Sequence, residues 1–347
     1  MRRVPFILLT TLLLLTACEK QIDIDIEDMQ PQVVVMSQNN ADDPVSLTLT
    51  YSRPVYGSYY IRNGEDYFQK ITDATATLSV NGASSITATR TGNCYTFAYT
   101  PQANDQLNLS ISVPGHEAVT ASATVPHTPV TGTPWTRQRF ISEINEYSTD
   151  IDEYTICEIS VFLPLTDYSS STNYYSIAMR RYDTVCYTYY DDNGAAINFD
   201  TVTDECKWFE CQDQLIVNNA ALGAVLLEDA VPTFYGEEML FTDQLINELD
   251  HNIELLTQIE FGYYDLYGLN HENTNFSYII HSTFKIEITS LSRDEYLFLM
   301  TLQNYSNDEL IGLVSEPVQI HSNIDGGIGI FCIGNKKTIT FNVDLQP

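Results

Sequence analysis

Cys18 is the residue whose setting most clearly points to chemistry. Arg2 and Arg3 precede an apolar run from Val4 to Leu15, and Leu15-Thr16-Ala17 leads small residues into the thiol. A basic start, about 7 to 15 apolar residues and small residues before cleavage make a secretory signal. With a cysteine at the first mature position, the pattern is the lipobox of an exported bacterial lipoprotein. A bilayer-spanning helix needs about 20 apolar residues, and Glu19 and Lys20 end this run first. The expected chemistry is therefore removal of residues 1–17 and attachment of fatty acyl chains such as palmitate at Cys18.

The other reactive side chains suggest little catalysis. Cys94, Cys157, Cys186, Cys206, Cys211 and Cys332 form an even set in a chain read as exported, where disulfides persist. Cys186, Cys206 and Cys211 lie close in sequence, so one bridge among these three is expected, and the remainder read as buried thiols. Cys206-x4-Cys211 lacks C-x2-C spacing and no histidine pair completes a zinc set, so neither metal nor cofactor is expected. His116, His127, His251, His271, His281 and His321 are scattered singly. There is no G-x-S-x-G, no C-x-x-C and no H-E-x-x-H, since His271-Glu272 runs into Asn273-Thr274-Asn275. Carboxylate pairs arise by chance among 46 acids, so spacing alone supports no glycosidase. The chain reads as a non-enzyme.

Asp191-Asp192-Asn193-Gly194 has oxygen ligands suited to calcium but not the twelve-residue loop with its final glutamate, and reads as a hairpin turn. The tyrosines are more suggestive. Seven fall between Tyr168 and Tyr190, and Tyr174, Tyr175, Tyr182, Tyr187, Tyr189 and Tyr190 form a candidate interaction surface, because flat amphipathic rings serve protein and sugar interfaces. Cross-strand pairing in an exposed β-ribbon is the alternative. A net charge of −30 repels nucleic acid and anionic head groups, so no nucleic-acid partner is expected. Contact with a membrane is expected through the lipid alone.

The elements that would position these residues are mostly strands. Residues 18–31, with isoleucines alternating with Asp23, Asp25 and Glu27, read as an acidic tether or a short edge strand, and such acids near the lipid also suit an outer-face sorting signal. Over 32–126, short β-branched runs (32–37, 45–52, 74–80, 85–90, 94–100, 107–113 and 117–125) alternate with turn residues, which predicts a β-sandwich. Asn81-Gly82 is the clearest hairpin turn among them. Residues 127–135, rich in proline, read as a linker. A larger β-rich region, 136–347, follows with one or two short helices. Its strands are expected at 156–164, 173–190, 256–264, 276–291 and 337–343. Ser292-Arg293-Asp294-Glu295 has capping-box form, with Tyr296, Leu299, Met300 and Gln303 at helical spacing, and Thr242 is placed to cap a short turn.

Two stretches carry a family resemblance: Ser292-Arg293-Asp294-Glu295-Tyr296, and Ser322-Asn323-Ile324-Asp325-Gly326-Gly327-Ile328-Gly329-Ile330-Phe331. With the IDID stretch after Cys18, the VVV strand, ITDATATLSVNG (71–82) and MLFTDQLIN (239–247), the chain resembles the exported bacterial lipoproteins grouped as domain of unknown function 4249 over nearly its mature length. Cys332 departs from that pattern, which leads to an expected glycine. The resemblance implies an N-terminal immunoglobulin-like or prealbumin-like sandwich and an outer-membrane lipoprotein on the periplasmic or cell-surface face. It also implies a TonB-dependent transporter as partner, and no catalytic residues. Gly326-Gly327-x-Gly329 lacks the lysine and hydroxyl of a phosphate loop and reads as a tight turn or close backbone approach. The leading expectation is an accessory or ligand-capture lipoprotein in nutrient uptake, its ligand a small molecule, glycan or peptide. A structural surface protein or adhesin is the alternative, and an unrecognised hydrolase the second.

Overall fold

The computed structural model describes residues 31–52, 69–144, 153–166, 171–190, 195–202, 205–217, 233–246, 249–261, 276–307 and 319–345. These residues are mostly β, with several sheets and two short helices. The first strands are β1 (Val33–Asn40), β2 (Ser46–Tyr51), β3 (Thr75–Val80), β4 (Ile86–Thr87), β5 (Thr89–Thr91), β6 (Cys94–Thr96), β7 (Gln106–Ser112) and β8 (Val119–Thr124). Longer strands follow: β9 (Trp135–Ile144), β10 (Glu153–Thr166), β11 (Tyr174–Tyr190) and β12 (Ala196–Val202). Next come β13 (Phe209–Cys211), α1 (Gln214–Val217), β14 (Phe234–Gly236), β15 (Glu238–Thr242), β16 (Asp250–Phe261) and β17 (Phe276–Leu291). α2 (Arg293–Asn307), β18 (Ile324–Asp325) and β19 (Ile328–Leu345) close the chain.

Alternation explains the strands and their faces. In β7, Leu107, Leu109 and Ile111 point inward while Gln106, Asn108, Ser110 and Ser112 face solvent, the two-residue period of a sheet with one wet face. The expected hairpin turn forms: Asn81 and Gly82 have φ of 51° and 74°, and Val80 O accepts from the Ala83 N–H at 2.8 Å. Positive φ at both central residues is what a two-residue hairpin demands.

Three sheets result. The largest has nine strands in the path β12-β11-β17-β19-β1-β2-β6-β5, with β15 also paired to β11. A five-stranded sheet, β18-β8-β7-β3-β4, encloses one core with it, containing Val35, Leu49, Leu78, Phe97 and Leu109. The other, β14-β13-β16-β10-β9, encloses a second core around Ile159, Val161, Phe241, Leu255 and Phe284. β19 serves both. Phe331 and Ile333 enter the first core and Leu345 the second, with parallel pairing to β1 from Val34↔Ile328 to Asn40↔Gly334. The segment before β9 is fastened to later strands: Thr128 Oγ1 donates to Asn335 Oδ1 at 3.1 Å, and the Gly132 N–H to Pro164 O at 3.0 Å.

A buried ionic network ties the second pair of sheets. Arg181 Nε lies 3.1 and 3.0 Å from the two oxygens of Asp183, and the side chains are 6% and 3% exposed. Arg181 Nη1 donates across the core to Thr257 Oγ1 (2.8 Å) and Gln258 O (3.0 Å), while Ser282 Oγ donates to Asp183 Oδ1 at 2.6 Å. A charge pair survives burial only when its remaining donors and acceptors are met this way.

Candidate functional site

β11 carries most of the candidate tyrosines and pairs along its length with β17, from Tyr174↔Leu291 to Tyr189↔Phe276. Pleating divides them. Tyr175 points into the core, 6% exposed, with its ring 5.3 Å from that of Phe241, which removes it from any interaction surface. Sequence alternation in this strand is masked by the inward polar pair Arg181 and Asp183, so the inward register was not apparent. Tyr174 is half-buried against Tyr296, centroids 5.0 Å apart. Tyr182 is exposed and donates to Glu205 Oε1 at 2.6 Å, with Lys207 at 3.5 Å and Arg180 at 3.7 Å from the same carboxylate. The hydrogen bond to Glu205 raises the Tyr182 phenol above its ordinary value and, seen from the other side, lowers the carboxyl. The side chains of Tyr187, Tyr189 and Tyr190 lie outside the described residues, as do Cys18, the acidic tether before residue 31 and the turn 191–194.

No bridge forms among Cys186, Cys206 and Cys211, because Cys206 and Cys211 are both free thiols. The side of the sheet separates Cys186 from the other two, which both face the second core. Cys211 pairs with Leu255 and is fully buried, its thiol pushed up to about 12 by burial. Cys206 bridges to Arg181, with Sγ 3.9 Å from Thr257 Oγ1. Cys186 stands one residue after inward-facing Val185, on the opposite face of β11. Proximity in sequence carried no information about faces. Burial likewise pushes the Cys157 thiol up to about 11, the reverse of an activated nucleophile.

The closing signature is a backbone clamp. Asn323 Nδ2 donates to Phe331 O at 2.8 Å and its Oδ1 accepts from the Phe331 N–H at 2.9 Å. Ser322 Oγ accepts from the N–H groups of Ile324 (3.3 Å) and Gly329 (3.1 Å). Gly326 and Gly329 have φ of +75° and +117°, and a Cβ there would lie 2.5 Å from Ala118 O and 1.9 Å from Val35 O. These glycines serve close backbone approach, as expected. His321 Nε2 meets Asp294 Oδ1 at 2.9 Å beside this clamp, but the neighbouring Ser322 oxygen is engaged by two backbone donors. Among the described residues no group of three or more His, Cys, Asp or Glu is placed to hold a metal ion.

α2 begins with the capping box read from sequence. Ser292 Oγ accepts from the Glu295 N–H at 3.2 Å, and the Glu295 carboxyl accepts in return from the Ser292 backbone. Glu295 is buried beside Cys332, and burial pushes its carboxyl from the ordinary 4.5 up to about 7. The folded state therefore binds this proton more tightly than the unfolded chain. Its stabilising contribution is complete below pH 4.5 and is lost as pH rises through about 7. Between wild type and Glu295→Gln, stabilities from urea melts should diverge over this window in favour of the variant, by on the order of 3 kcal/mol.

What sequence reading missed lies on the outer face of β14-β13-β16-β10-β9. Trp135 stacks on Phe162 with centroids 3.8 Å apart and planes 10° from parallel, and Trp208 stacks with Tyr235 at 5.3 Å and 28°. The available signal was that these are the chain's two tryptophans, both set among polar residues rather than in apolar runs.

These features define a mostly β protein closed by a serine-asparagine-glycine clamp, with aromatic side chains displayed on sheet faces. The family profile for the domain of unknown function DUF4249 matches residues 19–340, and the chain belongs to this family. No curated protein matches it.

Proposed function

We propose that this protein is a lipid-anchored outer-membrane accessory that captures a ligand for a TonB-dependent transporter in nutrient uptake. The observation that carries the reading is the direction of the strands away from Gln32, where the segment from Cys18 joins β1. β1 and β19 start together at Val34↔Ile328, and β19 then continues to Leu345, opposite Ile280 of β17. Its 18 residues rise roughly 56 Å at about 3.3 Å each. β17 and β11 continue beyond, to Phe276↔Tyr189. Measured from Gln32, where the chain enters β1, the second core and the far end of β11 therefore lie well along the strands. No helix among the described residues is long and apolar enough to cross a membrane. Affinity purification of the lipidated protein from detergent-solubilised outer membranes should recover a TonB-dependent barrel.

A further inference from the structure

We propose that the outer face of β14-β13-β16-β10-β9 binds an uncharged glycan lying across the strands, with Trp135 and the Trp208–Tyr235 pair as its two stacking platforms. The inference deepens the capture reading and rests on it for its place in uptake.

Pleating fixes which side chains share this face. Ile159, Val161, Leu163, Ile253, Leu255, Phe209 and Cys211 point into the core, so their alternates face out. Register then aligns a row from Tyr235 to Glu210, Leu256, Ser160 and Arg137. A flanking row pairs Glu254 with Phe162 and Phe162 with Trp135. Trp208 precedes β13 by one residue and stacks on Tyr235. Four strand spacings, roughly 19 Å, separate the two platforms, a span suited to several linked sugar rings.

The rings are displayed to solvent. Trp135 is 49% exposed, Trp208 50% and Tyr235 65%, so both stacked pairs keep aromatic surface available for contact, and flat amphipathic rings are what protein and sugar interfaces use. Flat aromatic faces carry negative π density, which attracts the weakly positive C–H face of a pyranose. Between the platforms stand planar hydrogen-bonding groups for sugar hydroxyls, Gln258 and the Arg and Glu side chains.

Charge argues against an ionic ligand. Arg137 pairs with Glu254 at 2.8 Å and Arg139 with Glu158 at 3.5 Å, so the middle of the strip neutralises itself within a chain of net −30. Glu210, beside Tyr235, takes a hydrogen bond from Gln212 Nε2 at 2.6 Å.

Because the chain's two tryptophans both lie here, indole fluorescence reports on this face directly. The test titrates the full-length protein in detergent with soluble galactomannan, xyloglucan and dextran, with alginate as the anionic probe and a tryptic peptide mixture as the peptide probe. Affinity electrophoresis in the same polysaccharides runs in parallel. At least one neutral polysaccharide should shift the emission and retard migration. Trp135→Ala and Trp208→Ala should each weaken retardation roughly tenfold or more, with circular dichroism unchanged, and Tyr235→Ala serves as the milder second probe of the same platform. Binding of none of the neutral polysaccharides, equal retardation of wild type and both tryptophan variants, or a response confined to alginate or to peptides would overturn the proposal. Transporter co-purification by the same variants separates the two readings. Lost glycan binding with the barrel retained is the expected result, whereas a missing barrel with glycan binding intact counts against the transport role alone.

Discussion

Gly329→Ala should cost more stability than the same change at any other glycine among the described residues, on the order of 4 kcal/mol or more, and should strip the protein of most soluble yield. A Cβ at this position would sit 1.9 Å from Val35 O, 2.9 Å from Val35 C and 3.0 Å from Val35 N, at a φ of +117°. None of these neighbours is a flexible side-chain end. β1 would have to leave β19 where Val35 pairs with Gly329, and that pairing feeds Val35 and Phe331 into one core. Costs above 4 kcal/mol belong to overpacking and backbone strain of this kind. Gly82→Ala is the control. Its φ is also positive, at +74°, but no atom lies within 4 Å of its Cβ position, so it should cost only about 1 to 2 kcal/mol. Urea melts of the two variants decide the matter, and equal midpoints would show that close packing at the clamp is not what the glycine provides.

Breaking the Arg181–Asp183 pair is the second large effect. Asp183→Asn takes the carboxylate charge from beside a guanidinium 6% exposed, and Arg181→Met takes the guanidinium from beside the buried Asp183 carboxylate. Each should destabilise by about 3 to 5 kcal/mol, because an uncompensated buried charge costs more than the pair contributes. The double variant Arg181→Met/Asp183→Leu should be more stable than the sum of the singles implies, since neither charge is then stranded. Chemical denaturation of all four proteins forms the cycle, and strict additivity would mean that the two side chains act independently.

The sequence was most legible where structure is local. Alternation in Leu107, Leu109 and Ile111, the Asn81-Gly82 turn, and the Ser292/Glu295 box each depend on residues a few positions apart. The strand expected at 337–343 is the end of a longer one beginning at Ile328, because Gly329 and Gly334, which resemble turn residues in sequence, lie inside β19 against Val35 and Thr289. Pairing of β1 with β19 joins residues nearly 300 positions apart and leaves no local trace. β9 leaves no strand signal in sequence because both sides of Arg137-Gln138-Arg139 are exposed at this sheet edge, so no period of two develops. Tyrosine count is the only signal of the β11 surface in sequence. Counting rings did not separate Tyr175, turned inward with Ile177 and Met179, from the outward Tyr182, and it passed over two isolated tryptophans.

The most direct test of the account is the composition of the complex that the anchored protein forms. Wild type and Cys18→Ala, each tagged at the C-terminus, are purified from detergent-solubilised envelopes and analysed by mass spectrometry for the mature N-terminus and for stoichiometric partners. Wild type should begin at an acylated Cys18, fractionate with the outer membrane and bring a TonB-dependent barrel with it, while Cys18→Ala should lose both acylation and membrane fractionation. An unmodified Cys18, or repeated recovery of acylated protein with no barrel, would contradict it.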